Sequence, residues 1–413
     1  MSIPYAQLPA AIQRVYELLA DHPGPDTTAP PIAAALEISE LDAATALQRL
    51  HAARLLDQLP PGDRYALAPW ARQHATHQRA RVPDSTRSGQ NSRLIDWYAA
   101  TACAAVLLMA PEALRFSASA THEAVPHDHV DGHRALRWYT WEHRVLSHVL
   151  TTAVDHGRSD VAVELADAIW HLARTTDHHD DLAHAHHTGH TLTHQTRHPI
   201  AAVFRAREAK ALADLRHITD ALNAAAEAAA LARDTAEPGI LALAHSHSGR
   251  VDLVAGDPDQ ALRELTTGLR HYRNVVDDHG HALTRRRIGQ AHLALGYTAD
   301  ALCYLDASIG ALIRADHRLG AARALTYLAD AFTADRQPSN ALSALGRAHA
   351  LLGNSAAPRY RTGLDLAAAR ARYALGETTI TRRLTENLIT RLDRAGPGAA
   401  GDLAAAVALH DQL

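Results

Sequence analysis

An interval of 40 residues separates four Ala-Leu pairs, and this period constrains the fold more than any other feature of the sequence. The alanines of these pairs are Ala221, Ala261, Ala301 and Ala341. A few residues upstream, the same interval relates Gly256, Gly296 and Gly376, with Arg336 in the equivalent place. A period of this length is typical of repeat proteins, in which each structural unit packs mainly against its neighbours.

Each repeat has the pattern of two helices joined by a turn. Before the turn glycine, Ile288, Ala291 and Leu295 have the spacing of one helix face, and residues 301–309 have it after the turn. The glycine ends the first helix, because a residue without Cβ adopts the left-handed conformation at little cost. One pair cannot bury its apolar face alone, so neighbouring pairs must stack. The sequence therefore predicts an all-α solenoid over residues 159–413, after a helical connector at 93–158.

Small residues occupy the places where the two helices of a pair approach each other. They are Gly249, Gly289 and Ala329 in the first helices, and Gly268, Ser308 and Ala348 in the second. With the turn glycine and the alanine column, this pattern resembles tetratricopeptide repeats. The period is 40 residues rather than the roughly 34 of that family, which implies longer helices or linkers.

Residues 1–82 predict a separate domain with the element order of a winged helix-turn-helix. Helices are expected at 8–20, 31–36 and 40–54, the last capped by Ser39. Two short apolar runs at 55–59 and 64–67 flank a Pro-Gly-Asp turn and predict a hairpin. Residues 83–92 are polar and have no apolar period, which predicts a linker.

The charge of this domain argues against a role in binding DNA. The side chains that would contact DNA are Arg49, His51 and Arg54 on the third helix, and Arg64 in the wing. However, residues 1–82 carry seven Arg against eight Asp or Glu, and the whole chain has 41 basic residues against 45 acidic ones. Because a DNA-binding surface needs cations on several phosphates, protein packing is the favoured role and DNA binding the alternative.

Several short motifs add a family resemblance, which covers nearly the whole chain. In chain order they are Leu8-Pro9, the turn from His22 to Asp26, Arg64-Tyr65, Leu94-Ile95-Asp96-Trp97-Tyr98, Phe116-Ser117, Ala135-Leu136 and Glu142-His143-Arg144. Together with the repeats, they resemble the C-terminal part of actinobacterial STAND-class regulators. In that family, an NB-ARC-type nucleotide-binding module precedes a winged helix and tetratricopeptide repeats.

The nucleotide-binding module of that family is missing from this sequence. A Walker A loop requires Gly-x4-Gly-Lys-[Ser/Thr], whereas Lys210, the only lysine, lies in a repeat helix without those glycines. The resemblance therefore implies a sensor or adaptor without its own NTPase, or one that works beside a separate NTPase chain.

No catalytic motif is present in the sequence, so no enzymatic activity and no cofactor are predicted. Histidine is the one candidate metal ligand, because eight histidines crowd between His178 and His198. Among them His186, His190 and His194 have the i, i+4, i+8 spacing of one helix face. The 30 histidines are spread along the whole chain, which favours a solvated face over a metal site. A pH response of this cluster stays open.

The concave face of the solenoid is the favoured binding site. The resemblance to tetratricopeptide repeats implies that first helices line this face. The side chains expected on its wall are Lys210, Arg250, Arg286, Gln290, Arg323 and Arg370, with Asp330 in the same column. Such cations would hold a carboxylate or acidic side chains. We predict a non-enzymatic sensor or adaptor that binds a protein or peptide in a regulatory setting. The alternative is a transcription regulator that binds DNA through its winged helix, with the repeats sensing a peptide or small ligand.

The remaining expectations concern the surroundings of the protein. The sequence has no apolar stretch near the roughly 18 residues that span a bilayer and no secretory signal at its start. The only two cysteines, Cys103 and Cys303, lie far apart. We therefore expect a cytoplasmic protein with free thiols. The segment 117–132, with His122, His127 and His129, is not placed in any element, and the tail after Gly396 is either a capping helix or loose.

Overall fold

The computed structural model describes residues 4–60, 62–109, 132–173, 176, 178–352, 358–394 and 400–413. The chain divides into two compact units, residues 1–173 (unit 1) and 174–413 (unit 2). This boundary differs from the predicted one at 158/159. Residues 159–173 form a helix that packs on two long helices of unit 1, so it belongs to that core rather than to the repeats.

Unit 1 begins with three helices and a hairpin, in the order that the sequence predicts. After a short 3-10 turn at Pro4–Gln7, its elements are α1 (Ala10–Leu18), α2 (Ala29–Leu36), α3 (Glu40–Ala52), β1 (Leu56–Leu59), β2 (Arg64–Leu67) and α4 (Pro69–Arg79). The strands are antiparallel, with Leu56 opposite Leu67. The Ser39 hydroxyl caps α3 by accepting a hydrogen bond from the Asp42 amide.

Three longer helices complete unit 1: α5 (Asp84–Met109), α6 (Gly132–Asp155) and α7 (Ser159–Ala173). The predicted linker at 83–92 is wrong, because α5 already begins at Asp84. Its first turns carry no apolar stripe but are held by polar contacts. The buried Arg79 donates hydrogen bonds to Gln90 and to Asn91. Tertiary hydrogen bonds therefore stabilise the start of α5, where the sequence has no apolar period.

Helix α5 is also long and apolar enough to cross a membrane by length and composition, which no apolar run in the sequence suggested. More than half of its apolar window is buried inside the protein. It contacts α2, α6 and α7.

Unit 2 is a stack of antiparallel helix pairs. After α8 (His179–Gln195), the first helices of the pairs are α9 (Ala201–Asp214), α11 (Pro238–Ala255), α13 (Asp278–Ala294), α15 (Arg318–Ala334) and α17 (Pro358–Ala374). The second helices are α10 (Ile218–Thr235), α12 (Pro258–Tyr272), α14 (Thr298–Arg314), α16 (Pro338–Leu352) and α18 (Thr378–Asp393). A last helix, α19 (Ala400–His410), follows them.

The residues that define the period do what the sequence predicts. The four column alanines are completely buried, at 0% exposure. The turn residues Gly256, Gly296 and Gly376 have positive φ, and so do Arg336 and, one repeat earlier, Arg216. At the small position of α13, a Cβ on Gly289 would lie only 2.6 Å from Cγ of Leu305. The close approach of the paired helices therefore requires a small residue there.

The packing order shows which side of the stack curves inward. Each first helix packs on the next one, from α9 through α11, α13 and α15 to α17, whereas each second helix packs mainly on first helices. The helices on the inner side of a curved stack lie closest together, so the first helices line the inner face of unit 2. Helix α19 packs on α17 and α18 through Ala406, so the tail after Gly396 ends in a capping helix.

Candidate functional site

Two rows of side chains run along the first helices of unit 2, about one helical turn apart. The first row is Lys210, Arg250, Gln290, Asp330 and Arg370. The second row, three residues earlier in each helix, is Arg207, His247, Arg287 and Tyr327. Residues at i and i+3 share a helix face, so both rows lie on the same side. We call this surface, together with Arg286 and Arg323, the groove.

At one end of the groove, two cations share one carboxylate. Asp214 accepts from Lys210 Nζ at 2.9 Å and from Arg250 Nη2 at 2.7 Å. Burial alone would raise the pKa of Asp214, but Lys210 and Arg250 hold it well below its ordinary value. The predicted groove residues Lys210 and Arg250 are therefore brought together by one carboxylate.

Arg286 lies at the centre of the groove and is only 3% exposed. Its Nε–H finds no hydrogen-bond acceptor among the described residues. Burial lowers the pKa of Arg286 well below its ordinary value, and the like charges of Arg323, Arg287 and Arg250 lower it further. The strongest charge interactions of this guanidinium are thus repulsive.

Arg287 is the second buried arginine of the groove, at 6% exposure. Its Nη1 donates to the backbone oxygen of Ser246 at 2.9 Å and to the hydroxyl of Ser246 at 2.6 Å. The Nε–H of Arg287 has no acceptor in the described part of the chain. Burial, with the nearby charge of Arg250, lowers the pKa of Arg287 to about 9. Neutral oxygens orient this side chain without neutralising it.

The far wall of the groove adds partly exposed groups. The guanidinium carbon of Arg323 lies 5.1 Å from the ring centroid of Tyr360, within the range of a cation–π interaction. The side-chain oxygen of Gln290 accepts no hydrogen bond from any described residue. Arg323, Tyr327 and Gln290 are each partly exposed, so solvent reaches this part of the groove.

The last predicted groove residue is paired. Arg370 Nη1 lies 3.1 Å from Oδ1 of Asp330. Burial raises the pKa of Asp330, an effect that Arg370 partly offsets. Arg370 thus compensates a buried carboxylate, which distinguishes it from Arg286.

Sequence reasoning missed Arg287 and the two tyrosines of the groove. The 40-residue period contained a signal for Arg287 and for Tyr327. Both belong to a column of their own, which consists of Arg207, His247, Arg287 and Tyr327. This column lies three residues, or about one helical turn, before the column of Lys210 and Arg250. Tyr360 carried no comparable signal, because it reaches Arg323 from the start of the following first helix.

The four candidate DNA contacts of unit 1 do not form one surface. Arg49, His51 and Arg54 are exposed at the C-terminal end of α3. Arg64 is 5% exposed and pairs with Asp26 and Glu142. Burial by itself lowers the pKa of Arg64, but these two carboxylates raise it above its ordinary value. The expectation that Arg64 faces DNA is therefore wrong, because its charge is used inside the fold.

The histidines at 178–198 do not share one open face. His186 is fully buried, with its ring 5.8 Å from that of Phe204. His190 is 7% exposed and lies 3.3 Å from both the Ala201 oxygen and Oε1 of Glu227. His194 is exposed. The i, i+4, i+8 set is therefore divided between core and solvent. The segment with His122, His127 and His129 lies outside the described residues.

No protein-family profile matches this sequence, and no curated protein matches it. Solved structures share its helical-repeat arrangement. A STAND protein with a tetratricopeptide repeat sensor from Pyrococcus horikoshii is 10% identical over 98% of this chain and 60% of that one, with a TM-score of 0.44. A Rap protein complexed with Competence and Sporulation Factor is 12% identical over 83% of this chain and 90% of that one, with a TM-score of 0.45.

A third solved structure is the APC/C hetero-tetramer Cut9-Hcn1. It is 14% identical over 83% of this chain and 73% of that one, with a TM-score of 0.40. This chain spans only about 60% of the length of the STAND protein. At these identities and TM-scores, the likenesses carry no argument about the role of this chain, and unit 2 is described by its own stack of helix pairs.

Proposed function

We propose that this protein is a non-enzymatic sensor or adaptor whose groove binds a protein or peptide partner in a regulatory setting. One observation carries the proposal: two parallel rows of basic and polar side chains follow the inner helices over successive repeats. An extended chain laid along the groove would meet a new pair of these residues at each repeat. The partly exposed Tyr327 and Arg323 offer aromatic and cationic anchors of the kind that dominate protein interfaces.

The regulatory part of the proposal is supported by the family resemblance of the sequence. In STAND-class regulators, repeats that follow a nucleotide-binding module and a winged helix sense or bind a partner. This sequence carries no Walker A lysine, and an NTPase in a separate chain is one of the partners that the resemblance allows. We treat the helices and hairpin at 1–82 as a winged-helix packing module.

DNA binding by this module is the second candidate function. The exposed Arg49 on α3 and the exposed Arg54 just after this helix favour it. Two observations oppose it: Glu40 and Asp42 are exposed at the opposite end of the same helix, and Arg64 is committed to Asp26 and Glu142. A cationic contact surface for several phosphates is therefore incomplete.

One experiment tests both candidates. The tagged full chain is crosslinked in its host, and the bound protein and DNA are identified by mass spectrometry and sequencing. Three variants run in parallel: Arg286→Gln/Arg323→Gln in the groove, Arg49→Glu/Arg54→Glu on α3, and the exposed control Arg347→Gln. We expect a partner that the groove variant alone loses, and that binds the purified wild-type chain saturably. Promoter DNA that the α3 variant alone loses would establish the regulator instead.

A further inference from the structure

The centre of the groove holds more buried positive charge than its neighbours compensate. Arg286, Arg287 and Arg323 are clustered there, and the charge of Arg250 also acts on Arg286 and Arg287. Within the described part of the chain, Asp214 forms ion pairs with Lys210 and Arg250, and its charge offsets only part of the cost of burying Arg287. Arg286 and Arg287 are more than nine-tenths buried and have no carboxylate within ion-pair distance in the described ranges.

Stability does not explain this arrangement. A buried charge is costly unless it is paired and fully hydrogen-bonded. Burial lowers the pKa values of both arginines, and the like charges around them lower these values further. An apolar side chain of similar volume at 286 would avoid both costs. The cluster therefore has the character of a site that is complete only when a negative charge is present.

The unfilled donors indicate what kind of anion would complete it. The Nε–H groups of Arg286 and Arg287 donate to none of the described groups. Ser246 fixes the plane of Arg287, so this guanidinium is already oriented. Several guanidinium groups on one surface suit an anion with several oxygens.

The number of negative charges distinguishes a carboxylate from a phosphate monoester as the ligand of this cluster. A carboxylate brings one negative charge and two oxygens, so it would leave most of the cluster uncompensated. A phosphate monoester brings close to two negative charges and three free oxygens at neutral pH. We propose that Arg286, Arg287 and Arg323 form a binding site for a doubly charged oxyanion, a phosphate or phosphate monoester, in the groove.

This inference rests on the proposed function, since it names the chemistry that the groove recognises. The phosphoryl group comes either from a small phosphate ester or from a phosphorylated side chain of the bound partner. Tyr327 and Tyr360 flank Arg323 and Arg286, and their rings would pack against the body that carries the phosphoryl group.

Isothermal titration of the full chain with inorganic phosphate at pH 8 tests the site, with sodium acetate and sodium chloride at matched ionic strength as comparison anions. We expect saturable phosphate binding that weakens at least tenfold in Arg286→Met and in Arg323→Gln. The exposed control Arg347→Met should bind as the wild type does. Arg323 is partly exposed, so Arg323→Gln keeps the test valid if Arg286→Met disturbs packing, and far-UV circular dichroism checks the fold of each variant.

Each outcome decides one question. Equal heats with acetate, or equal phosphate binding by all variants, would overturn the inference. If the groove variants lose the crosslinked partner while the wild type binds no phosphate, the proposed function stands and the phosphoryl site is wrong. If the wild type binds phosphate but the groove variants retain the partner, the phosphoryl site stands and the proposed function is wrong. Tighter binding of O-phosphoserine than of inorganic phosphate would indicate a phosphorylated partner, and tighter binding of inorganic phosphate a small ligand.

Discussion

Unit 1 and the centre of the groove in unit 2 bury arginine in opposite ways. In unit 1, the side chain of Arg64 lies between Asp26 and Glu142, and that of Arg79 donates to Asp21 at 2.7 Å and to Gln90. In unit 2, Arg286 has like charges as its strongest electrostatic neighbours. A buried arginine that is paired stabilises the contact between two elements. An uncompensated one lowers stability, and a bound ligand would explain why it is kept. The difference separates structural arginines from candidate functional ones.

The tryptophans make this comparison measurable. All five tryptophans, at positions 70, 97, 138, 141 and 170, lie in unit 1. Tryptophan fluorescence therefore follows the unfolding of unit 1, while far-UV circular dichroism also follows the helices of unit 2. The two signals can be compared in one urea titration of the full chain.

The largest expected effect is the loss of a paired arginine. Arg64→Met should lower the free energy of unfolding of unit 1 by about 4 kcal/mol, because Glu142 would stay buried without its partner. Urea titration followed by tryptophan fluorescence measures the change. The double variant Arg64→Met/Glu142→Leu should recover part of the loss. A single variant as stable as the wild type would contradict the structural role of this pair.

The next effect is a dependence of the free energy of unfolding on pH, which tests whether unit 1 buries His22 in its neutral form. Burial lowers the pKa of His22 from 6.5 to about 4. Its Nδ1 accepts from the Gly24 amide at 3.1 Å, so the neutral ring fits the fold. Between pH 6.5 and 4, the His22 ring binds a proton in the unfolded chain but stays neutral in the folded chain. The free energy of unfolding should therefore fall by up to about 3 kcal/mol as the pH falls from 6.5 to 4.

The variant His22→Asn checks this pH dependence. An asparagine oxygen can still accept from the Gly24 amide, but it does not titrate. Fluorescence-detected urea titrations at several pH values should show a flatter profile for His22→Asn, while His156→Asn, at an exposed position, keeps the wild-type slope. Identical slopes in all three proteins would show that another group causes the acid sensitivity.

An effect of opposite sign is expected in unit 2. Arg286→Met should raise the free energy of unfolding by about 2 kcal/mol, because it replaces an uncompensated buried charge with an apolar side chain of similar volume. Circular dichroism in urea without phosphate measures it. A destabilised Arg286→Met variant would mean that this arginine is structural, and the contrast between the two units would fail.

The smallest effect is expected at an exposed pair. Arg391 Nη2 lies 2.7 Å from Oδ2 of Asp365, with side chains 48% and 36% exposed. Solvent screens such pairs, so Arg391→Met should change the free energy of unfolding of unit 2 by less than about 0.5 kcal/mol. The same circular dichroism titration serves as the measurement. A change as large as that of Arg286→Met would show that any arginine substitution perturbs the repeats.

Much of unit 2 could be predicted from the sequence because its contacts are local and periodic. The column alanines are buried, and Gly256, Gly296 and Gly376 have positive φ, as expected. In unit 1, the same local reasoning correctly predicted that Ser39 caps α3. The linker at 83–92 was mispredicted because Arg79 reaches Gln90 from a different helix, and no local pattern records such a contact. Arg64 was misplaced for the same reason: its partner Glu142 lies 78 residues away in the sequence.

The sequence by itself determined the helical repeat and the faces of its helices, since both follow from spacing along one chain segment. It also placed Arg250, Arg286 and Arg323 on one wall. Only the tertiary structure decided which of these charges are compensated, because Asp214 reaches Arg250 from a neighbouring repeat and does not reach Arg286. Electrostatic pairing depends on distances between elements, and a one-dimensional pattern contains no such distances.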